Sequence, residues 1–361
     1  MKTNAQLPNP FIFLNQEQVQ SKENWPLRRK ELLGQILELE YGPLPPRPEW
    51  TRGEVLYSHF LEKIHGARNW FVRLLTGPYP AYEFYIELLT PNGTGPFPMV
   101  ISGDACWRYL NDDIQMETIQ RGYGLCTFNR VTLVPDDYRM ERDQGLYLKC
   151  QDKDFGALSA WAWGYHRVVD YLVSLPEVDP ERIAVTGHSR GGKTALLAGA
   201  TDERIALTAP NNSGCGGAGC FRWQGEGAEK LKDILSLAPN WFSPNLKAYI
   251  GKEDQMPFDQ HSLKACVAPR GLLSTEALGD LWANPSGSWI TFQAAREVYR
   301  FLGVEAHCGI WYREGGHDQG IEDWRALLDF ADLHFFGKEA GRSFDSNPFP
   351  DLPAGYSWNA P

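Results

Sequence analysis

Gly187-His-Ser-Arg-Gly-Gly-Lys193 is a serine bracketed by small residues and accompanied by two cations. A short β-branched run, Ile183 to Thr186, precedes it, and a helix-forming run, Thr194 to Ala200, follows. In that strand–turn–helix context G-x-S-x-G is a nucleophile elbow. The sharp turn strains the serine and lifts its hydroxyl above the sheet, and the residues two before and two after must be small to avoid the neighbouring backbone. Ser189 is therefore the candidate nucleophile. Two other readings compete. The glycines could serve packing alone, and Gly187 to Thr194 also fits G-x4-G-K-[ST], a phosphate-cradling loop.

A serine hydroxyl is a poor nucleophile near neutral pH and needs a base. His317 is the best placed of eight histidines, following Gly315-Gly316 at the end of an apolar run, His307 to Tyr312. Asp280 follows Gly279 after another such run, Arg270 to Glu276. The order serine, acid, histidine, each after a strand, is that of α/β-hydrolases and places all three at one sheet edge. Asp280 would hold the His317 tautomer and stabilise the imidazolium. Glu276 lies within its strand and Asp318 adjoins His317, so both are worse placed. His188 is expected to point away from the nucleophile, and His261 and His307 to be structural. Arg190 would supply a backbone N–H to an oxyanion, with a second donor from the 103–107 loop that holds Asp104, Cys106 and Trp107. Its cation could also stabilise the oxyanion directly. The competing reading is a salt bridge that only braces the elbow.

The elements that must position these groups alternate. A helix is expected over Lys22–Tyr41, and strands over Glu54–Phe60, Asn69–Leu75, Ala81–Leu89, Phe97–Ser102 and Gly122–Phe128. A polar loop (129–156) precedes a long helix, Leu158–Leu175, which Pro176 ends. After the elbow come a strand at Ala206–Pro210, an irregular stretch, and helices over Ser288–Leu302 and Asp323–Phe336. Buried strands alternating with helices predict an α/β fold: a three-layer αβα sandwich on a mostly parallel sheet. The chain is read as one catalytic domain, 1–361, with an N-terminal arm (1–50). An insertion (211–265), too irregular for core, would lie over the active site.

Composition narrows the partners. At 43% hydrophobic and 22% charged, the chain of 361 residues can bury a large core. A net charge of −10 without a Lys/Arg cluster argues against nucleic acid. No apolar run is long enough to span a membrane. The first ten residues lack the apolar segment of a signal peptide, so no leader is read in this chain. Thirteen tryptophans hint at a sugar ligand. Seven scattered cysteines suggest neither a structural zinc nor a disulfide framework, although one pair could join. No cofactor or metal is expected, and the protein is read as a monomer.

The elbow, as G-x-S-R-x-G-K, resembles that of the glucuronoyl esterases of carbohydrate esterase family 15. The resemblance continues through Asn211-Asn-Ser-Gly-Cys-Gly-Gly217, Gly225-Glu226, Asn240-Trp-Phe242, Pro257-Phe-Asp-Gln-His261, Ala268-Pro-Arg270, Asp280-Leu-Trp-Ala-Asn-Pro285 and Gly315-Gly-His317. It covers most of the chain and displaces the phosphate-loop reading. It implies an α/β-hydrolase that cleaves the ester between 4-O-methyl-glucuronic acid on xylan and a lignin alcohol, working outside the cytoplasm. It also implies that Lys193, Glu226 and Trp282 contact the uronic sugar and that Arg190 assists the oxyanion. Many members carry a glutamate acid where this chain has Asn212, so the triad here depends on Asp280. The alternatives are an acetyl-xylan or other carbohydrate esterase, and a catalytically inactive carbohydrate-binding protein.

Overall fold

The computed structural model describes residues 6–106, 110–137, 139 and 142–361. Its strands are β1 Trp50–Leu61, β2 Ala67–Gly77, β3 Tyr82–Thr90, β4 Phe97–Ser102, β5 Gly124–Phe128, β6 Val178–His188, β7 Leu207–Asn211, β8 Gly271–Ala277 and β9 Cys308–Arg313. They form one nine-stranded sheet in the order β1-β2-β3-β5-β4-β6-β7-β8-β9. From β5 to β9 every pairing is parallel, and β1, β2, β3 and β5 pair antiparallel. The helices are α1 Trp25–Ile36, α2 Asp112–Gln120, α3 Leu146–Lys149, α4 Ala157–Leu172, α5 Arg190–Thr201, α6 Leu231–Leu237, α7 Gln260–Ala265, α8 Pro285–Leu302 and α9 Ile321–Phe336.

Parallel strands need crossovers, and the crossovers cover both faces. Helices α1, α4, α5, α7 and α8 share one core with one face of the sheet, and α2 and α9 share another with the opposite face. Strands β7 and β8 are therefore buried throughout and carry no alternation. The antiparallel strands do alternate: on β2, Val72 and Leu74 are buried between partly exposed neighbours. The expected three-layer αβα architecture is present.

Two segments differ from expectation. Helix α2 has no counterpart among the expected elements, because its apolar positions are few. Asn111 starts it by accepting the N–H of Ile114 at 3.0 Å. The 211–265 stretch is irregular yet much of it is core, since residues 211–222 are all buried. It is organised by a buried carboxylate rather than by apolar periodicity. Asp259 accepts the N–H groups of Phe221 (2.9 Å) and Arg222 (3.1 Å) and the Arg222 guanidinium (3.1 Å). All seven cysteines are free.

The N-terminal arm is pinned to this stretch. Glu40 is fully buried, takes a hydrogen bond from Gln260 Nε2 at 2.7 Å, and its carbonyl accepts Ser243 N–H at 2.7 Å. The Tyr41 hydroxyl donates to the Gly216 carbonyl at 3.0 Å. Burial pushes the Glu40 carboxyl up to about 8. The folded state thus keeps a proton that the unfolded chain has already lost. The resulting stability is complete below the ordinary carboxylate range and is lost as pH rises through about 8. Glu40→Gln removes that titration. Its melting temperature relative to wild type should rise between pH 5 and pH 8 in scanning calorimetry; a constant difference would refute the assignment.

Candidate active site

Ser189 sits between β6 and α5 at φ 55° and ψ −119°. A side chain held at positive φ is strained and persists only where its surroundings fix it. Here its N–H donates to the Asn211 carbonyl (2.9 Å), and its carbonyl accepts Lys193 N–H (3.0 Å) in the first turn of α5. A Cβ at Gly187 would come within 2.5 Å of the Gly191 carbonyl. A Cβ at Gly191 would run into the Asp104 carboxylate. Asp104, at the end of β4, is buried against Arg130, with which it pairs, and it accepts the N–H of His188 at 2.7 Å. The glycines are therefore required by backbone approach and by this carboxylate. Of the 103–107 loop expected to supply a second oxyanion donor, Trp107 lies outside the described residues.

His317 and Asp280 meet. His317 Nδ1 lies 2.5 Å from Asp280 Oδ2, with the aspartate buried and the imidazole half-exposed. This bond fixes Nδ1 as the proton-bearing nitrogen and leaves Nε2 to act as base. His188 does not point away, contrary to the expectation from sequence. Its ring centroid lies 4.4 Å from that of His317, and its Nδ1 lies 2.6 Å from Asn211 Oδ1. The reason is strand alternation. Thr186 and His188 share a face of β6, and the loop after His317 crosses that face, with Gln319 Nε2 donating to Thr186 Oγ1 at 3.0 Å. Glu276 is buried inside β8, and burial pushes its carboxyl up to about 8. His261 and His307 bond the carbonyls of Pro8 and Pro269.

The His317 loop is clamped by a residue that no sequence motif marks. Arg313, closing β9, donates to the carbonyls of Glu314 (3.0 Å), Gly316 (3.2 Å) and Asp318 (2.5 Å), so it grips both sides of His317. Its Nε donates to Asp323 Oδ2 at 2.8 Å. Asp323, buried, also accepts Gly320 N–H (2.8 Å) and Asn211 Nδ2 (3.1 Å). Asn212, which donates to the Asp318 carbonyl (2.9 Å), accepts Ala277 N–H (2.7 Å). It ties the histidine loop to the strand that leads to Asp280. Asn211 and Asn212 lie in a run that carries the family resemblance, whereas Arg313, at a strand end, and Asp323, in the first turn of α9, have no sequence signature.

Around the elbow Arg190 meets a carboxylate and Lys193 a backbone carbonyl. The Arg190 guanidinium pairs with Asp136, lies 4.8 Å over the Trp241 ring, and Trp241 Nε1 donates to the other Asp136 oxygen at 2.7 Å. The bracing reading of Arg190 is thus present in the geometry. Lys193 is buried and donates to the Ser213 carbonyl at 2.5 Å. Burial pushes its ammonium down, against the pull of Glu229. Glu229 is buried too. Burial pushes its carboxyl up, opposed by Lys193, by a hydrogen bond to Trp282 and by His317. Its N–H also donates to the Trp282 carbonyl at 3.0 Å. Glu226, expected to contact the sugar, is exposed, and the carboxyl within electrostatic reach of Lys193 is that of Glu229. Gly225-Glu-Gly-Ala-Glu229 offers two glutamates three positions apart, and only the turn before α6 decides which faces in. Trp282 is 49% exposed, which leaves its ring open to a ligand. Among the described residues no cluster of His, Cys, Asp or Glu could hold a metal ion.

A parallel sheet that offers a strained serine after β6, a buried aspartate after β8 and a histidine after β9 defines an α/β-hydrolase. The family model described as "Glucuronyl esterase, fungi" matches residues 80–303. A 4-O-methyl-glucuronoyl methylesterase of Phanerochaete chrysosporium is 34% identical over 87% of this chain and 66% of its own length. This chain therefore spans just under two thirds of that relative. The structure of a carbohydrate esterase family 15 glucuronoyl esterase from Caldicellulosiruptor kristjansonii superposes with a TM-score of 0.85 at 30% identity, covering 98% of this chain and 97% of that one. A glucuronoyl esterase variant from Sporotrichum thermophile, in complex with methyl 4-O-methyl-β-D-glucopyranuronate, superposes with a TM-score of 0.78 at 27% identity, covering 94% and 89%. The chain belongs to the glucuronoyl esterases, carbohydrate esterase family 15.

If Arg313 sets the position of His317, Arg313→Met should lower the kcat for a chromogenic ester by roughly a hundredfold, the scale of a misplacement of about 1 Å, with KM little changed. Arg313→Lys should recover part of the loss. A loss in KM alone, in a variant that melts as wild type does, would refute the clamp.

Proposed function

We propose that the protein hydrolyses esters of glucuronic or 4-O-methyl-glucuronic acid, as in lignin–xylan linkages, through Ser189, His317 and Asp280. The observation that carries the reading is a buried cation, Lys193, and a buried carboxyl, Glu229, within electrostatic reach of each other and of Asp280 and His317, with Glu229 bonded to Trp282. A buried cation and a buried carboxyl, each able to hydrogen-bond, suit the hydroxyls of a sugar acid. They have nothing to bind on an acetyl group. The exposed Trp282 ring offers a stacking face for the sugar. Family membership and the uronate complex of the Sporotrichum thermophile relative support the same class.

In this mechanism His317 takes the Ser189 proton as Oγ attacks the uronate carbonyl, and Asp280 stabilises the imidazolium. The oxyanion is met by the Arg190 N–H at the start of α5, in the field of the Arg190 guanidinium. His317 then returns the proton to the departing alcohol. Water, activated by the same imidazole, attacks the acyl-enzyme and releases the acid. Lys193, Glu229 and Trp282 hold the sugar throughout.

Benzyl glucuronate and an aryl acetate, assayed side by side, test the reading. The glucuronate ester should show the higher kcat/KM. Ser189→Ala should abolish its hydrolysis, and Asp280→Asn should lower kcat by about 10⁴, as loss of the orienting acid does in a serine triad. Hydrolysis of the acetate without the glucuronate would overturn the substrate assignment.

A further inference from the structure

Strand register puts three polar side chains in one row beneath the histidine loop. His188 on β6 lies opposite Asn211 on β7, and Asn211 lies opposite Thr275 on β8. Parallel strands in register send such opposed side chains to the same face of the sheet. The Asn211 amide is oriented by its acceptors: Nδ2 donates to Thr275 Oγ1 at 2.9 Å and to Asp323 Oδ1 at 3.1 Å. Its Oδ1 is thereby turned to His188, whose Nδ1, 2.6 Å away, must carry the proton. The His188 side chain is fully buried. Its backbone is held too, since its N–H donates to Asp104 at 2.7 Å and the next N–H, that of Ser189, donates to the Asn211 carbonyl at 2.9 Å. Against this fixed ring lies the ring of His317, with centroids 4.4 Å apart and planes tilted by 52°.

We propose that His188 is a positioning residue for the base: its ring is the wall that keeps the His317 imidazole from swinging out of line with Ser189. The inference rests on the reading above of His317 as the base. Asp280 holds one nitrogen of the His317 ring at 2.5 Å, and Arg313 holds the backbone on both sides of it. A hydrogen bond at Nδ1 fixes a point and not a plane, so a half-exposed ring can still swing about it. His188 blocks that swing on the β6 side. It also closes a circuit. Arg313 holds the loop, Asp323 holds Arg313 and Asn211, Asn211 holds His188, and His188 meets His317. The circuit uses both halves of a histidine. A small amide offers no flat ring face, and a phenylalanine cannot donate to Asn211 and would leave the wall untied.

The test uses whichever of benzyl glucuronate and the aryl acetate the enzyme hydrolyses. His188→Asn keeps an N–H near the place of Nδ1 and removes the ring. It should lower kcat by about tenfold with KM little changed, less than the roughly hundredfold of a misplacement of about 1 Å, because Asp280 still holds Nδ1. His188→Phe restores a ring face and should recover part of the loss. Proton NMR gives a direct readout. The proton between His317 Nδ1 and Asp280 sits in a short charge-assisted bond, and its far-downfield resonance should broaden or move upfield in His188→Asn. His188→Gln carries the test if His188→Asn does not fold. A folded amide variant with wild-type kcat, a loss confined to KM, or a resonance that stays in place while kcat falls would overturn the proposal. So would a folded phenylalanine variant no better than the amide one. His317→Ala separates this inference from the reading beneath it. If that variant is inactive and the His188 variants are as fast as wild type, only the wall is wrong. If His317→Ala leaves hydrolysis intact, the triad reading falls and the wall with it.

Discussion

One buried carboxylate, Asp323, joins the two halves of the candidate active site. It binds the Arg313 guanidinium that clamps the His317 loop, and it binds Asn211, whose carbonyl holds the Ser189 N–H and whose side chain holds His188. Burial pushes the Asp323 carboxyl up and Arg313 pulls it back, so the pair is stable only while both partners stay in place. Removing one partner of such a pair typically costs about 3–5 kcal/mol, because a charge is left buried alone. Through this carboxylate, β7, β9 and α9 share one polar junction beneath the site. The distance between nucleophile and base is thereby built into the core of the fold rather than left to loops.

The same logic recurs around the elbow. Asp104 is paired with Arg130, Arg190 with Asp136, and Lys193 lies beside Glu229. Charges brought this close to a reacting centre would otherwise shift its titration or collapse onto one another. Paired and hydrogen-bonded, they form a fixed field that needs no reorganisation when charge develops. The Trp241 ring under Arg190 and the Trp161 ring at 6.3 Å from Trp241 carry that bracing into the apolar core. The irregular 211–265 stretch belongs to this scheme. It supplies the Ser213 carbonyl, Glu229 and Trp241, and it is itself held by Asp259 and by the N-terminal arm.

Much of the site is legible in the amino-acid sequence. The elbow, His317 and Asp280 follow from glycine placement and from the order of strand ends, and both reflect local rules of backbone and chirality. Helix α2 is silent because its apolar residues are too few to show a period. Glu226 and Glu229 are indistinguishable in composition, and a turn chooses between them. The orientation of His188 depends on the path of the returning loop, which decides which face of β6 is covered and is not a local property. Arg313 and Asp323 are silent as well. Arg313 bonds residues one to ten positions away and Asp323 reaches across to Asn211, and such hydrogen-bond networks leave no periodic trace.

The sequence by itself determined the candidate reacting groups and the layer order: a serine that only a strained turn can present, and apolar runs that only a covered parallel sheet can bury. The tertiary structure alone decided which glutamate lies within reach of Lys193 and what holds the histidine loop. Those outcomes depend on which chain segments meet at the strand ends. Burial makes each meeting costly unless every charge and every donor finds a partner.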